Sequence, residues 1–479
     1  MAYPGAMETL PALSHEVWER TPPEAQAYIR ALEARVATLE GMMQALQDQL
    51  NQTSRNSSRP PSSDPPHSER PRRPRSTRRR GGQPGHPGHT RTLVPVDKVD
   101  EVVVLKPAQC THCQAPLSGD DPTPWRHQVI ELPPIKPVVT EYQWHQLVCT
   151  ACGAVSRAPW PEGVPSGTYG PRVQATVALC TGSYRLSKRT TQQVMEEVFG
   201  VPMSVGTISP LEHATTEALA APVEAARTYV HEQEVAHLDE TSWRQGSKRA
   251  WLWVAVTRLV TVFVVRLSRG GHVARELLGE AFSGILVTDR YRAYNWYPVR
   301  WRQLCWAHLL RDFEAMRGRG GRSEEIGDAL LAQAHQMFTW WHRVHDGTLK
   351  RSTFRSYISP MRREVERLLE AGSTCGVPKT EGTCRDILKL RKALWTFVQV
   401  DGVEPTNNTA ERSIRPGVLW RKGSFGTQSE KGSRFVESMM TVVSTLKQQQ
   451  RNVLEYLTEV CDAALRGDAA PSLLPANAQ

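Results

Sequence analysis

Long apolar runs are missing from this chain. The longest, such as Trp251–Val256 and Thr261–Val265, fall far short of the ~20 residues a membrane span needs, so no integral membrane protein is expected. The N-terminus lacks a basic-then-apolar stretch with a small-residue cleavage site, so an unexported protein is expected. Cysteine is scarce. Nine in 479 residues do not form a disulfide framework, and the odd number points to reduced thiols, with metal ligation as the exception to test. Hydrophobic residues make up only 39% of the chain, below the usual share for a compact fold, and 34 Pro with 33 Gly indicate linker. At roughly 100–200 residues per domain, the length suggests three or four domains. What is plentiful is positive charge. The formal net charge is +10 and the pI near 9.2, which favours a polyanionic partner.

That charge is concentrated. Residues 51–92 carry ten Arg, no Lys and two acids, with eight prolines and almost no large apolar side chain. Such a stretch cannot bury a core and is expected to be a disordered basic linker. Arg72-Arg73 and Arg78-Arg79-Arg80 suit an arm that grips DNA phosphates in a salt-sensitive, sequence-independent way; the alternative is a solvated tether. Ahead of the linker, Ile29, Leu32, Val36, Leu39, Met43, Leu46 and Leu50 are spaced alternately three and four apart. This seam predicts a coiled-coil helix within residues 1–50 that joins protomers, the alternative being a helix packed on the chain's own core.

After the linker, Cys110-Thr111-His112-Cys113 and Cys149-Thr150-Ala151-Cys152 form two C-x2-C pairs with 35 residues between them. Extended segments lie between, at His127–Glu131 and Val138–Val148. Two knuckle turns at the ends of a hairpin would bring four thiolates to one structural Zn²⁺ as in a zinc ribbon, in a module over 93–165; free buried thiols are the alternative. Cys180, Cys305, Cys375, Cys384 and Cys461 stand singly and read as small core residues. Residues 166–231 read as helices, with Ser187 and Ser204 as starts and Gly200 as a stop. They suit a helix-turn-helix-like DNA-binding region or a plain helical subdomain.

From residue 232 the pattern turns to strands: Val235–Asp239, Trp251–Thr257, Thr261–Leu267, Gly284–Asp289 and Arg302–Cys305, with helices at Val273–Leu278 and Trp306–Met316. The order β-β-β-α-β-α-β suits a ribonuclease H-like α/β core. Its first part spans 232–322 and its last part 401–465, split by a helical insertion over 323–400, and 466–479 is expected to be a disordered tail. Asp239 and Asp289 close two buried-type strands, and Glu411 opens a late helix. In this fold the first and fourth strands are neighbours, so the two Asp would sit side by side. Three carboxylates there repel one another unless cations are bound, and oxygen-rich sites suit Mg²⁺ or Mn²⁺. Two such ions can hold the attacking and leaving oxygens of an in-line phosphoryl transfer.

Four motifs run in order: His237-Leu238-Asp239-Glu240-Thr241-Ser242-Trp243, Thr288-Asp289-Arg290-Tyr291-Arg292-Ala293-Tyr294, Cys305-Trp306-Ala307-His308-Leu309-Leu310-Arg311-Asp312-Phe313 and Asn407-Asn408-Thr409-Ala410-Glu411-Arg412-Ser413-Ile414-Arg415-Pro416. With the later Arg421-Lys422-Gly423-Ser424-Phe425-Gly426, they closely resemble the DDE transposases of the insertion-sequence-66 family. The resemblance implies Asp239, Asp289 and Glu411 as the catalytic triad for two metal ions, and a Cys-x2-His element at Cys305 and His308 near the core. It implies a bacterial, cytoplasmic, nucleoid-associated DNA transposase. That enzyme would cleave the ends of an insertion sequence and join the 3′-OH ends to target DNA. Accessory proteins from the same element are possible partners. The alternatives are a metal-dependent nuclease of the same fold that cuts without joining, and a DNA-binding regulator.

Among the neighbouring residues, His308 reads either as a DNA or phosphate contact or as a buried, hydrogen-bonded His. Arg412, Arg415, Arg421, Lys422, Lys431 and Arg434 suit a DNA backbone track, or else a solvated face. Strand alternation turns Glu240 away from Asp239. Trp243, Trp251, Trp253 and Trp306 read as core. The cysteine pairs lead to a direct measurement. Metal analysis of purified protein should return one zinc per chain held by these four cysteines; a value far below one, or an unchanged zinc content in Cys110→Ser, would sink the zinc reading.

Overall fold

The computed structural model describes residues 15–50, 52–53, 56 and 91–475. Arg72, Arg73, Arg78, Arg79 and Arg80, with nearly all of the basic linker, lie outside the described residues. The chain divides into two compact units, one of His67–Gln143 with Val194–Pro202 and one of the remainder.

In the smaller unit the backbone of residues 91–143 is largely extended, with a 3₁₀ turn at Val96–Lys98. The Gln128 side chain brackets Val94, accepting its N–H at 2.9 Å and donating to its carbonyl at 2.8 Å. An isolated bridge between Gln109 and Pro116 closes the turn that carries Cys110 and Cys113. The expected pairing of 127–131 with the segment from 138 onward does not form. Pro133, Pro134 and Pro137 fall between the two segments, where they hold the connection extended.

The larger unit begins with α1 (His15–Glu19) and α2 (Pro23–Leu50). The seam residues Leu32, Val36, Leu39, Met43, Leu46 and Leu50 of α2 are all exposed. Next, β1 (Gln146–Val148) and β2 (Val155–Arg157) form a small antiparallel hairpin around the second cysteine pair. Helices α3 (Pro171–Ala178), α4 (Lys188–Glu197), α5 (Val205–Ala218) and α6 (Ala220–His231) follow. Ser187 and Ser204 act as N-terminal caps, accepting the N–H groups of Thr190 and Thr207 at 3.0 and 3.3 Å.

A five-stranded sheet comes next: β3 (Val235–Gln245), β4 (Lys248–Val256) and β5 (Thr261–Arg266), then, beyond α7 (Gly271–Leu278), β6 (Ile285–Thr288) and β7 (Arg302–Leu304). Its order is β5-β4-β3-β6-β7, with β3, β4 and β5 antiparallel and β6 and β7 parallel to β3. The helix expected between β6 and β7 is replaced by single 3₁₀ turns at Arg292–Tyr294 and Val299–Trp301. The Asp289 carboxylate takes the Tyr291 N–H at 2.8 Å in a tight turn, and Pro298 interrupts what remains. The rest is helical: α8 (Trp306–Arg317), α9 (Gly321–His345), α10 (Arg351–Gly372), α11 (Pro378–Lys389), α12 (Thr396–Gln399), α13 (Asn408–Ser424), α14 (Glu430–Gln448) and α15 (Val453–Arg466). Helices α8 to α12 build one hydrophobic cluster with β6 and β7. Helices α13 and α14 cover β4 and β5 on one face, while α3, α6, α7 and α15 help bury the other. Residues beyond α15, expected as a loose tail, are anchored by Leu473, which is fully buried, and by the Tyr456 hydroxyl donating to the Pro471 carbonyl at 2.9 Å.

Both sheet edges are closed by side chains. Along β5, the N–H groups of Val265, Phe263 and Thr261 donate to Glu437 (2.6 Å), Thr441 (3.0 Å) and Thr445 (3.1 Å) of α14. Every second residue of the strand meets every fourth of the helix, because two strand residues and four helical residues each advance about 6–7 Å. On the far edge, Gln303 of β7 accepts the Phe397 N–H at 2.8 Å and donates to the Leu394 carbonyl at 3.3 Å. The free edges on which strands of other chains could pair are thereby removed.

No helix among the described residues is long and apolar enough to cross a membrane. Helix α13 lies tight on β4 because residue 417 is glycine: a Cβ there would come within 2.3 Å of a Leu252 methyl. Gly417→Ala should therefore lower stability by roughly 1–3 kcal/mol, read as a reduced Tm. An unchanged Tm would mean that α13 and β4 are not in this contact.

Candidate active site

The parallel pairing of β3 with β6 runs through Val235–Ile285, Ala236–Leu286 and His237–Val287. Two residues further, that register sets Asp239 opposite Asp289, just past the carboxyl end of β6, on strands about 4.8 Å apart; β3, expected to end at Asp239, runs on to Gln245 because β4 keeps pairing with it. Each acid accepts a nearby backbone N–H, Asp239 from Glu240 at 2.9 Å and Asp289 from Tyr291 at 2.8 Å. Glu411 arrives from the first turn of α13.

Asn407 locks that helix start to the sheet. The sequence reads it as an N-cap, and it occupies that position, but its side chain does no capping. Its amide donates to the Leu238 carbonyl at 2.7 Å and its oxygen lies 3.1 Å from His237 Nδ1. Its own N–H donates to Cys305 Sγ at 3.1 Å, so one buried residue ties α13, β3 and the start of α8 together. Burial, partly opposed by the Asn407 bond, pulls His237 down to about 4, so its ring is neutral near pH 7.

The electrostatics are those of crowded acids. Desolvation, then the charges of Glu240, Asp289 and Glu411, push the Asp239 carboxyl well above the ordinary range. Glu240 is pushed up to about 7 by burial first and by Asp289 second. Alternation does turn Glu240 to the opposite face from Asp239, yet it is not electrically remote. Its side chain is only 2% exposed, and Arg269 holds it through Nε at 3.0 Å and Nη2 at 2.7 Å. The Tyr294 hydroxyl donates to its other oxygen, and the Arg269 guanidinium stacks 3.9 Å from the Tyr291 ring. Arg302, fully buried, donates to Thr288 Oγ1 and the Asp289 carbonyl at 3.1 and 3.3 Å, bracing the strand end behind the site.

Cys305 and His308 sit on the first turn of α8. Burial pushes the Cys305 thiol up to about 12. His308 Nδ1 lies 3.5 Å from Glu411 Oε1, and both atoms are buried without a hydrogen-bond partner. Arg311 approaches the other Glu411 oxygen at 3.9 Å. Among the described residues, Cys305, His308 and Glu411 are the one set of three Cys, His or acid side chains whose donor atoms all lie within 4.8 Å of one another. The three acids converge less tightly. The resemblance implies a Cys-x2-His element at Cys305 and His308 near the core, and the structure sets it beside Glu411, a grouping that the residue-level reading of Cys305 as core and His308 as a DNA contact does not contain.

The expected basic residues divide. Arg412, Arg415, Lys422 and Lys431 are exposed. Arg421 is instead committed to β3, donating to Thr241 Oγ1 at 3.0 Å and to the Ser242 carbonyl at 2.5 Å. Arg434 pairs with Glu437 at 2.9 Å. Trp243, Trp253 and Trp306 are buried core residues, and Trp251 packs at the core's margin.

The four motif cysteines fall two in each unit, and each pair is held by the same local turn. Cys110 N–H donates to the Ala115 carbonyl at 2.9 Å, and Cys149 N–H to the Ala154 carbonyl at 2.7 Å. Each turn ends in a left-handed residue, Gln114 at φ 62° and Gly153 at φ 75°. The N–H groups of Cys113 and His112 hold the Cys110 thiol below its ordinary range, and those of Cys152 and Ala151 do the same for Cys149.

The strand-end acids, Glu411 and the Cys-x2-His element all fall within residues 166–434, which match a family model described as the transposase IS66 family. A second model, described as a family of unknown function, matches residues 11–92. Two curated relatives are uncharacterized proteins of Sinorhizobium fredii. One, y4qI, is 29% identical over 246 residues, 46% of this chain and 44% of the relative. The other, y4hP, is 23% identical over 400 residues, 75% of this chain and 71% of the relative. The chain thus spans less than half the length of the first. The family match takes in more than half of the chain and the whole five-stranded sheet, and the chain belongs to the IS66 family of transposases.

Proposed function

We propose that this chain is a DNA transposase that cleaves the ends of an insertion sequence and joins the resulting 3′-OH ends to target DNA, on a ribonuclease H-like core. The observation that carries the reading is the register setting Asp239 opposite Asp289, with the charge of Glu411 reaching Asp239. Acids crowded until one is driven toward its neutral form are a donor set short of cations, and an all-oxygen set fits Mg²⁺ or Mn²⁺. Asp239, Asp289 and Glu411 would hold two such ions, which when bound supply Lewis-acid activation of the attacking oxygen and neutralise charge on the phosphate. The chain's own part is positioning. Asn407 fixes the Glu411 helix to β3, neutral His237 adds no charge beneath the site, and Arg269 with Tyr294 keeps Glu240 from competing for cations.

DNA would be held by exposed cations. Arg415 and Lys422 lie four and eleven residues beyond Glu411, so they share its stripe on α13 and extend it by about 16 Å. Arg412 flanks that stripe. Arg72, Arg73, Arg78, Arg79 and Arg80 would add salt-sensitive affinity, and the helices of 166–231 a helix-turn-helix-like contact. The matching turns at the two cysteine pairs support a structural Zn²⁺ on Cys110, Cys113, Cys149 and Cys152. The exposed seam of α2 supports a homo-oligomer through the N-terminal helix. Accessory proteins of the same element remain proposed partners.

Asp239→Asn, Asp289→Asn and Glu411→Gln should each cut cleavage and joining of a labelled element end by about 10²-fold or more, because the amide keeps an oxygen but loses the charge that holds the ions. DNA binding should persist, since its cations are untouched. Wild-type joining by Glu411→Gln would move the third carboxylate elsewhere, and joined products would separate a transposase from a nuclease.

The acid crowding also sets a pH dependence in chelator. Glu240 has a raised folded value, about 7 against an ordinary 4.5. The native state therefore holds a proton that the unfolded chain has released, and this stability is present below pH 4.5 and lost as pH rises to 7. The Tm in chelator should fall over that window by an amount worth a few kcal/mol at most. Glu240→Gln should flatten the fall, and Mg²⁺ should raise the wild-type Tm more at pH 7 than at pH 5. A fall of equal size in the variant would mean that Glu240 does not carry it.

A further inference from the structure

The first turns of α8 and α13 face each other across three donors that the proposed chemistry does not use together. Cys305 Sγ, a His308 ring nitrogen and a Glu411 oxygen lie within 4.8 Å of one another. His308 Nδ1 and Glu411 Oε1 lie 3.5 Å apart, within ion-pair range of each other, and both are buried with no hydrogen bond. Leaving two such atoms without hydrogen bonds is costly, and a cation between them would satisfy both lone pairs at once.

The sulfur is prepared in the same sense. Cys305 occupies the N-cap of α8 and accepts the Asn407 N–H at 3.1 Å, with the N–H groups of His308 and Ala307 also directed at it. Sulfur facing the amides two and three residues ahead is the arrangement at Cys110 and Cys149 as well. These amides lower the cost of a thiolate but do not outweigh burial, so the proton leaves only when a metal takes its place on the sulfur.

We propose that Cys305, His308 and Glu411 bind a divalent ion of the Zn²⁺ class, at a site that shares Glu411 with the acid-held pair and none of its residues with the four-cysteine module. One sulfur, one imidazole nitrogen and one carboxylate oxygen select a borderline-soft ion over Mg²⁺, which demands oxygen. As the metal–sulfur bond forms, the thiol proton passes to solvent, and three protein ligands leave a fourth tetrahedral position open to water. The ion would link α13 to α8, fixing the one triad acid carried by a helix rather than by a strand.

The test is cobalt titration of the full chain, stripped with chelator and free of Mg²⁺. Four forms are compared: wild type, Cys305→Ser, His308→Asn, and a variant with Cys110, Cys113, Cys149 and Cys152 all changed to Ser. Thiolate-to-cobalt charge-transfer absorption should appear in the quadruple variant, where the paired cysteines cannot supply it. In the wild type, the cobalt equivalent beyond that of the paired cysteines should lose this band in Cys305→Ser. In His308→Asn it should bind at least about tenfold more weakly. The His308 side chain is 20% exposed, so that variant carries the test if Cys305→Ser does not fold. Absence of the band in a quadruple variant with wild-type circular dichroism overturns the proposal, as does wild-type cobalt binding unaffected by both single changes. No DNA enters the readout, so this proposal and the transposase reading fail separately.

Discussion

Mutual repulsion among carboxyl groups is the constraint around which this domain is arranged. Asp239, Glu240, Asp289 and Glu411 gather four acids where β3 passes the carboxyl end of β6, and desolvation raises the cost of charge on Asp239 and Glu240. Each carries a different compensation. Glu240 has its charge balanced by Arg269 and the Tyr294 hydroxyl on the far face of the sheet, against burial and Asp289, which oppose that charge. Asp289 has buried Arg302 behind its backbone. Asp239 is left with backbone donation alone, and burial first, then its acid neighbours, push its carboxyl toward the neutral form. Such an arrangement is stable only if the scaffold cannot relax away from it. The side-chain ladders from α14 to β5 and from Gln303 to the α12 segment hold both edges of the sheet in place.

How the sequence revealed this follows from the range over which each signal acts. Strand β6 and the start of β3 were legible because their apolar runs reach a carboxylate, a local signal, whereas the length of β3 was not, since pairing with β4 carries it past Asp239 to Gln245. The Ser signals at the starts of α4 and α5, and the Gly stop between them, were legible for the same local reason. The edge ladders were not. Glu437, Thr441 and Thr445 have helical spacing and read as one polar stripe, and only the presence of β5 opposite makes them acceptors. The absent helix between β6 and β7 was lost for a similar reason, since the turn at Asp289 depends on where its carboxylate points.

The residues whose roles changed are those that spend their polar atoms at long range. Asn407 looked like a cap because its neighbours do form a helix start, but its amide satisfies β3, some 169 residues away in sequence. Arg421 looked like one more DNA-facing cation, and instead it serves the hydroxyls of Thr241 and Ser242. Charge counting treats every exposed-looking Arg alike, whereas geometry separates an Arg with protein acceptors from Arg415 or Lys422, which stand on the open stripe of α13.

Cys305 shows where such reasoning meets its limit. In a helical context a single cysteine is correctly read as a small apolar residue, and Cys384 and Cys461 are buried in just that way. What separates Cys305 is a second element: α13 brings Glu411 and the Asn407 N–H to a sulfur and an imidazole that already share one helical turn. Two residues on one turn make a half-site, and a half-site has no meaning until another segment completes it. The same helix start therefore has two functions. Through Glu411 it completes the acid cluster of the sheet, and through the same carboxylate it completes the donor set of α8. The position of Asn407 governs both at once.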